Sequence, residues 1–249
     1  MFGEWYKNPT SFDEYIVIPD FFDSETASTI HLPTPDEKWM HYDNPIEHKF
    51  VLNDFSNHPE IDEIFKCLQT DEFIEKIGKM AGIDNLEKDP MLHGAGVQCY
   101  PRNGKLDMHL DYSIHPVSGK QRRLNLIIYM NEGWKDEYGG HLEINGEKID
   151  AGARFNTAII FKTTDTSFHG VPKPIRCPDG LFRQSIAVYY VSDPMEDATP
   201  RYKAEFFPYK DQPVCTKLKK LYEIRKTRIL TEDDLKDWPS WRSDGAGYF

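Results

Sequence analysis

Asp107-Met108-His109-Leu110-Asp111-Tyr112, set beside Ser167-Phe168-His169-Gly170, is the pair of segments on which the reading of this chain turns. Residues two apart on a β-strand share a face. If the first segment is extended, the imidazole of His109 and the carboxylate of Asp111 stand side by side. A second strand folded alongside would add His169 to that face. Two histidines and one carboxylate so placed can hold a metal ion from one side and leave its other coordination positions open. Such a meeting requires a β framework that joins two segments far apart in the chain.

The surrounding sequence has that texture. From about Met91 short apolar runs alternate with turn residues: Leu92–Tyr100, Leu106–Tyr112, Arg123–Asn131, His141–Ile144, Ala153–Lys162, Ser167–Val171 and Phe182–Val191. Between them fall Pro101-Arg102-Asn103-Gly104, Gly139-Gly140 and the hairpin signal Asn145-Gly146. Roughly seven or eight short strands at this spacing suggest a double-sheet jelly roll of the cupin kind. Upstream, Glu14–Pro19 reads as a strand, followed by a helix from Ser24 to Ile30 capped by Asp20 or Asp23. His48–Leu52 reads as another strand. Ile61, Ile64, Phe65 and Leu68, then Phe73, Ile74, Ile77 and Met80, have the spacing of two one-sided helices over Pro59–Gln69 and Asp71–Ala81. Helical patterns return at Thr216–Arg225 and Thr231–Asp237. The expectation is a single domain, mainly β with flanking helices (α+β), around a double-stranded β-helix. Residues 1–90 would be an α-rich support, 91–192 the core, and 193–249 an extension serving packing or a partner.

Composition narrows the function. With 39% hydrophobic residues and 13% aromatics the chain is expected to fold around a real core. Its formal net charge of -11 argues against a nucleic-acid partner, which needs a basic surface. Cys67, Cys99, Cys177 and Cys215 form no CxxC pair, as expected of reduced thiols in a cytoplasm. The first residues lack the pattern of a secretory signal, and no apolar run approaches a membrane span.

His-x-acid spacing occurs four times: His41/Asp43, His58/Glu60, His109/Asp111 and His141/Glu143. His58 precedes Pro59 at a helix start, His41 leads into the turn signature Asn44-Pro45, and His141 and Glu143 sit in a short run where exposed polar residues are expected. Only His109/Asp111 has β-rich flanks and a partner histidine several strands downstream. Arg183 opens an alternating strand, Arg183 to Tyr190, with Ser185 on its own face. An arginine turned into a β core is costly unless an anion meets it. Its planar fork matches a carboxylate, so a dicarboxylate ligand is implied; the competing reading is a surface ion pair.

Cys99-Tyr100-Pro101-Arg102-Asn103-Gly104, His109-Leu110-Asp111, Leu126 to Asn131, Gly139-Gly140-His141-Leu142, His169 and Arg183-x-Ser185 occur in order across residues 91–192. This run resembles the prolyl 4-hydroxylase-like group of 2-oxoglutarate- and Fe(II)-dependent dioxygenases. The resemblance implies that His109, Asp111 and His169 ligate Fe(II). It implies that Arg183, with Tyr129 and Ser185, binds the distal carboxylate of 2-oxoglutarate, and that Tyr100 lies beside it. Cofactors would be Fe(II), 2-oxoglutarate and O₂, with ascorbate an optional reductant, and no catalytic residue beyond the ligands is needed. The implied reaction hydroxylates an unactivated C–H bond, releasing succinate and CO₂. A prolyl residue in a peptide or protein is the implied substrate; a free amino acid or small metabolite is the alternative. Outside this class stand a non-redox cupin-like binding protein and a zinc hydrolase, the latter leaving Arg183-x-Ser185 unexplained. Arg123, on the alternation face of Asn125, Ile127 and Tyr129 that a substrate could partly meet, reads more simply as a strand-end surface charge. Trp134 reads equally as a rim residue or a core plug.

Overall fold

The computed structural model describes residues 1–210 and 212–242. Alternating apolar residues close much of the chain into one curled antiparallel sheet, braced on its outer side by helices. The first third supplies β1 (Tyr15–Ile18), α1 (Ser24–Thr29), the hairpin of β2 (Met40–Asp43) and β3 (Glu47–Leu52), then α2 (Pro59–Leu68) and α3 (Asp71–Ala81). The caps explain the helix bounds. Asp23 accepts from the Thr26 amide before α1, Pro59 opens α2, and Thr70 accepts from the Phe73 amide before α3. Gly82, in the left-handed region at φ 63°, ends α3.

The middle supplies β4 (Glu87–Lys88), β5 (Gly96–Tyr100), β6 (Lys105–Leu110), β7 (Gln121–Tyr129), β8 (Glu143–Ile144), β9 (Glu147–Lys148), β10 (Thr157–Lys162), β11 (His169–Val171) and β12 (Arg183–Ser192). Hydrogen bonding runs β1-β10-β7-β12-β5-β3 and on through β6-β11-β8-β9. β3 is shared by the two walls: Phe50 to Leu52 pair with β5, while Glu47 and His48 pair with β6. The expected double-stranded β-helix is therefore present. β5 begins four residues later than its apolar run because the Asp89 carboxylate accepts from the amides of Met91 and His93, holding a turn there.

The two faces of β7 explain the layering. Leu124, Leu126 and Ile128 point outward, joining Ile186, Val188 and Tyr190 of β12 against Ile61, Phe65, Leu68, Phe73 and Ile77 of the helix pair. Asn125 and Ile127 point into the curl, where they line a cavity. Ile77 is fully buried, so Ile77→Ala should cost ~2–5 kcal/mol. The check is a lower urea midpoint at unchanged slope.

The segment after Ser192 holds both expected helices but also one unexpected strand. It contributes β13 (Glu205–Phe207), which pairs with β6, followed by α4 (Thr216–Arg225) and α5 (Glu232–Leu235). Leu218, Leu221 and Tyr222 of α4 close over Phe206 and Leu106. A three-residue strand whose partner lies so far upstream leaves no periodicity to read. Among the described residues no helix is long and apolar enough to cross a membrane.

Candidate metal centre and anion pocket

His169 of β11 pairs directly with His109 of β6, and Asp111 follows one residue beyond the end of β6. The structure thus brings the three side chains together, all buried. Nε2 of His109 lies 3.6 Å from Asp111 Oδ1, and Nε2 of His169 lies 3.3 Å from Asp111 Oδ2. The two imidazole centroids are 4.3 Å apart. One ligand atom from each residue falls within 4.8 Å of the others.

Backbone contacts set the histidine tautomers. Nδ1 of His109 is 3.0 Å from the Asp107 carbonyl, and Nδ1 of His169 is 2.9 Å from the Ser167 carbonyl. A carbonyl only accepts, so Nδ1 is the protonated nitrogen in the neutral form of each ring, which leaves Nε2 as the atom that can ligate. Burial, and after it His169, push the His109 pKa down to about 4, which keeps that ring neutral near pH 7. Burial opposes the charge on Asp111, yet Arg122 and then His169 hold its carboxyl well below the usual range. Two lone pairs and a carboxylate thus face one another, and a divalent cation is what that donor set fits.

Arg122, which sequence alternation misses, holds the carboxylate. Its Nη2 lies 3.1 Å from Asp111 Oδ2, and Asn125 Nδ2 donates to the same oxygen at 2.8 Å. Arg122 Nε also donates to Asn125 Oδ1 at 2.8 Å. Residues three apart on a regular strand face opposite ways. Here the β7–β12 register shifts, with Leu124 opposite Tyr190 but Arg122 opposite Val191. Arg123 is the extra residue of that β-bulge; it turns out to Ser192 Oγ and leaves the interior to Arg122. Arg122→Met should cost the metal-free protein ~3–5 kcal/mol by stranding a buried carboxylate, and Arg123→Met less than ~1 kcal/mol. Chemical denaturation of the two variants checks the contrast.

Arg183 is buried on β12, beside Tyr100 of β5 and one strand from Tyr129 of β7. Its Nε donates to the Gly140 carbonyl at 2.6 Å and its Nη2 to Tyr129 Oη at 3.0 Å. The guanidinium lies between the rings of Tyr100 and Tyr129, 4.9 and 4.7 Å from their centroids. Ser185 is buried two residues on. Among the described residues no carboxylate pairs with Arg183, so the pocket fits an incoming anion. Gly140 makes room for it: at φ 78° a Cβ there would lie 2.8 Å from Arg183 Cδ. Trp134 is half-buried, packed against two of the apolar clusters, and donates to the Gly139 carbonyl at 3.0 Å. Both sites open on one cavity of about 310 Å³.

The C-terminal segment, expected to carry no site residue, reaches this centre. Phe206 stacks on His109 with centroids 5.0 Å apart, and Arg201 Nε donates to the Asp111 carbonyl at 2.6 Å. Tyr222 Oη donates to Asp107 at 2.6 Å, and Asp107 pairs with Lys105 at 2.6 Å, which pins the strand bearing His109. One other expectation is corrected. Glu143 is buried rather than exposed and accepts from Tyr209 Oη at 3.0 Å. His41 and Asp43 lie on strand β2, ahead of the Asn44-Pro45 bend as expected, and with His48 make a second constellation able to hold a metal. There Arg242 already pairs with the Asp43 carboxylate.

A curled double-stranded β-helix with a buried His-Asp-His set beside an unpaired guanidinium has the construction of a mononuclear non-haem oxygenase. Residues 95–191 match the model of the 2OG-Fe(II) oxygenase superfamily, a span from β5 into β12. That segment carries His109, Asp111, His169 and Arg183, and over it the chain is similar to the Fe(II)- and 2-oxoglutarate-dependent oxygenases. No curated protein sequence matches it. Among solved structures it is similar to a Trichoplax adhaerens prolyl hydroxylase in complex with a hypoxia-inducible-factor peptide, at 17% identity and TM-score 0.49 over 72% of this chain and 84% of that one. A Pseudomonas putida prolyl-4-hydroxylase gives 16% and 0.47 over 74% and 94%. HygX from Streptomyces hygroscopicus, with nickel, 2-oxoglutarate and hygromycin B bound, gives 12% and 0.44 over 72% and 83%.

Proposed function

We propose that this chain is an Fe(II)- and 2-oxoglutarate-dependent dioxygenase that hydroxylates an unactivated C–H bond of a prolyl residue. In this proposal His109, Asp111 and His169 hold the iron, and Arg183, Tyr129, Ser185 and Tyr100 seat 2-oxoglutarate. The observation that carries it is the convergence of two Nε2 lone pairs and a carboxylate in the same cavity as a buried guanidinium without a carboxylate partner. Bound iron, with 2-oxoglutarate and O₂, supplies the oxidising power, and the products are succinate, CO₂ and an alcohol.

The protein's own work is placement. Carbonyls 107 and 167 aim the two rings, and Arg122 and Asn125 fix the rotation of the Asp111 carboxylate. Arg183, oriented by Gly140 and Tyr129, is suited to grip a distal carboxylate in two parallel hydrogen bonds. Burial of these groups keeps bulk water from competing for them. The prolyl assignment draws on the motif order across residues 91–192. Four cysteines with free thiols fit a reducing cytoplasm, the compartment we assign.

The test incubates the protein with Fe(II), 2-oxoglutarate and O₂, first alone and then with a panel of prolyl peptides and free amino acids. Succinate formation, and a product heavier by one oxygen atom on a prolyl peptide, is the expected result. Absence of succinate under every condition would sink the oxygenase assignment of these residues. Oxygen delivered only to a non-prolyl compound would sink the prolyl part alone.

A further inference from the structure

Pairing off the charges around the cavity leaves a remainder. Arg122 is matched by Asp111 at 3.1 Å and Arg225 by Glu47 at 2.8 Å. Arg183 is reserved for the co-substrate under the proposal above, on which this inference rests. Lys49 and Lys203 also line the cavity, and among the described residues neither has an acidic partner. Both are half-buried. Lys49 sits on β3 opposite Tyr42, its ammonium 5.7 Å from the Tyr42 centroid and 6.0 Å from that of Tyr100. Two ring faces give such a cation partial compensation only. Lys203 enters from the other wall, three residues before the Phe206 that stacks on His109.

Two unmatched cations in a cavity of a chain whose net charge is -11 run against the general field of the molecule. The same rim carries Met40, Met91, Tyr202 and Ile229, which are among the large apolar side chains left exposed. An anion-accepting pair inside an apolar collar describes the ligand that completes it. We propose that the primary substrate carries a carboxylate, received by Lys49 and Lys203, on an apolar body that rests against this collar. That carboxylate is either a free α-carboxylate or an acidic side chain next to the reacting residue.

The test measures binding by calorimetry to the full chain loaded with Mn(II), which accepts the same nitrogen and oxygen donors, and with 2-oxoglutarate. One probe pair is N-acetylproline against its amide. The other is an end-capped prolyl peptide with glutamate before the proline against the same peptide with glutamine. The acid of at least one pair should bind about tenfold more tightly than its neutral twin, and which pair responds identifies the source of the carboxylate. The preference should shrink with added salt and vanish in Lys49→Met/Lys203→Met, with 2-oxoglutarate affinity kept. No preference for either acid, or a preference that survives the double substitution, overturns the inference. Failure of the unaltered protein to bind 2-oxoglutarate would instead overturn the site assignment beneath it.

Discussion

Arg183→Ala is expected to weaken 2-oxoglutarate binding on the order of a hundredfold or more while metal binding persists. The guanidinium is buried, its hydrogen bonds run to neutral oxygens of Gly140 and Tyr129, and among the described residues no carboxylate pairs with it. An incoming carboxylate would therefore meet a desolvated cation. Removing one side of such a pair costs ~3–5 kcal/mol, and about 1.4 kcal/mol is a factor of ten. Arg183→Lys should recover part of the loss, since an ammonium keeps the charge without the planar fork. Titrating 2-oxoglutarate into the metal-loaded variants reads the result directly. An affinity within a few-fold of the unaltered protein would remove Arg183 from the site.

Asp111→Ala is expected to abolish succinate formation and metal retention together. The substitution deletes the one charged donor of the set and also strands Arg122, which is buried against it. The second effect could unfold the protein by itself, since an unpaired buried charge costs ~3–5 kcal/mol. Asp111→Asn separates the two. The amide keeps the size and an oxygen for Arg122 but lacks the anionic charge that attracts a cation. Native circular dichroism with metal binding lost is the expected pattern for that variant. Full retention of iron and of succinate formation in it would place the metal elsewhere.

Much of the framework is legible in the residues because it rests on short-range rules. Period-four apolar spacing and caps fix α2 and α3; alternation and turn residues fix β5 to β12 to within a few positions. His109, Asp111, His169, Arg183, Ser185, Tyr129 and Tyr100 can all be named from spacing and motif order; the fold lines one cavity with all of them but Tyr129, which joins through its hydrogen bond to Arg183. Arg122 could not be named, because the extra residue of the bulge inverts the alternation on which any face assignment depends. Phe206, Arg201 and Tyr222 were hidden for another reason. Their partners are His109, Asp111 and Asp107, and contacts between such distant segments follow from closure of the whole sheet, not from local pattern.

The lateness of β13 bears on how the molecule is made. A polypeptide emerging from the ribosome has His109 and Asp111 long before it has Phe206, Arg201 or Tyr222. Until those arrive, the ligand-bearing strand lacks a neighbour along part of its length and the ring that steadies one imidazole. Under the proposed assignment, a chain cut short before this clasp is expected to hold the metal poorly although it carries His109, Asp111 and His169.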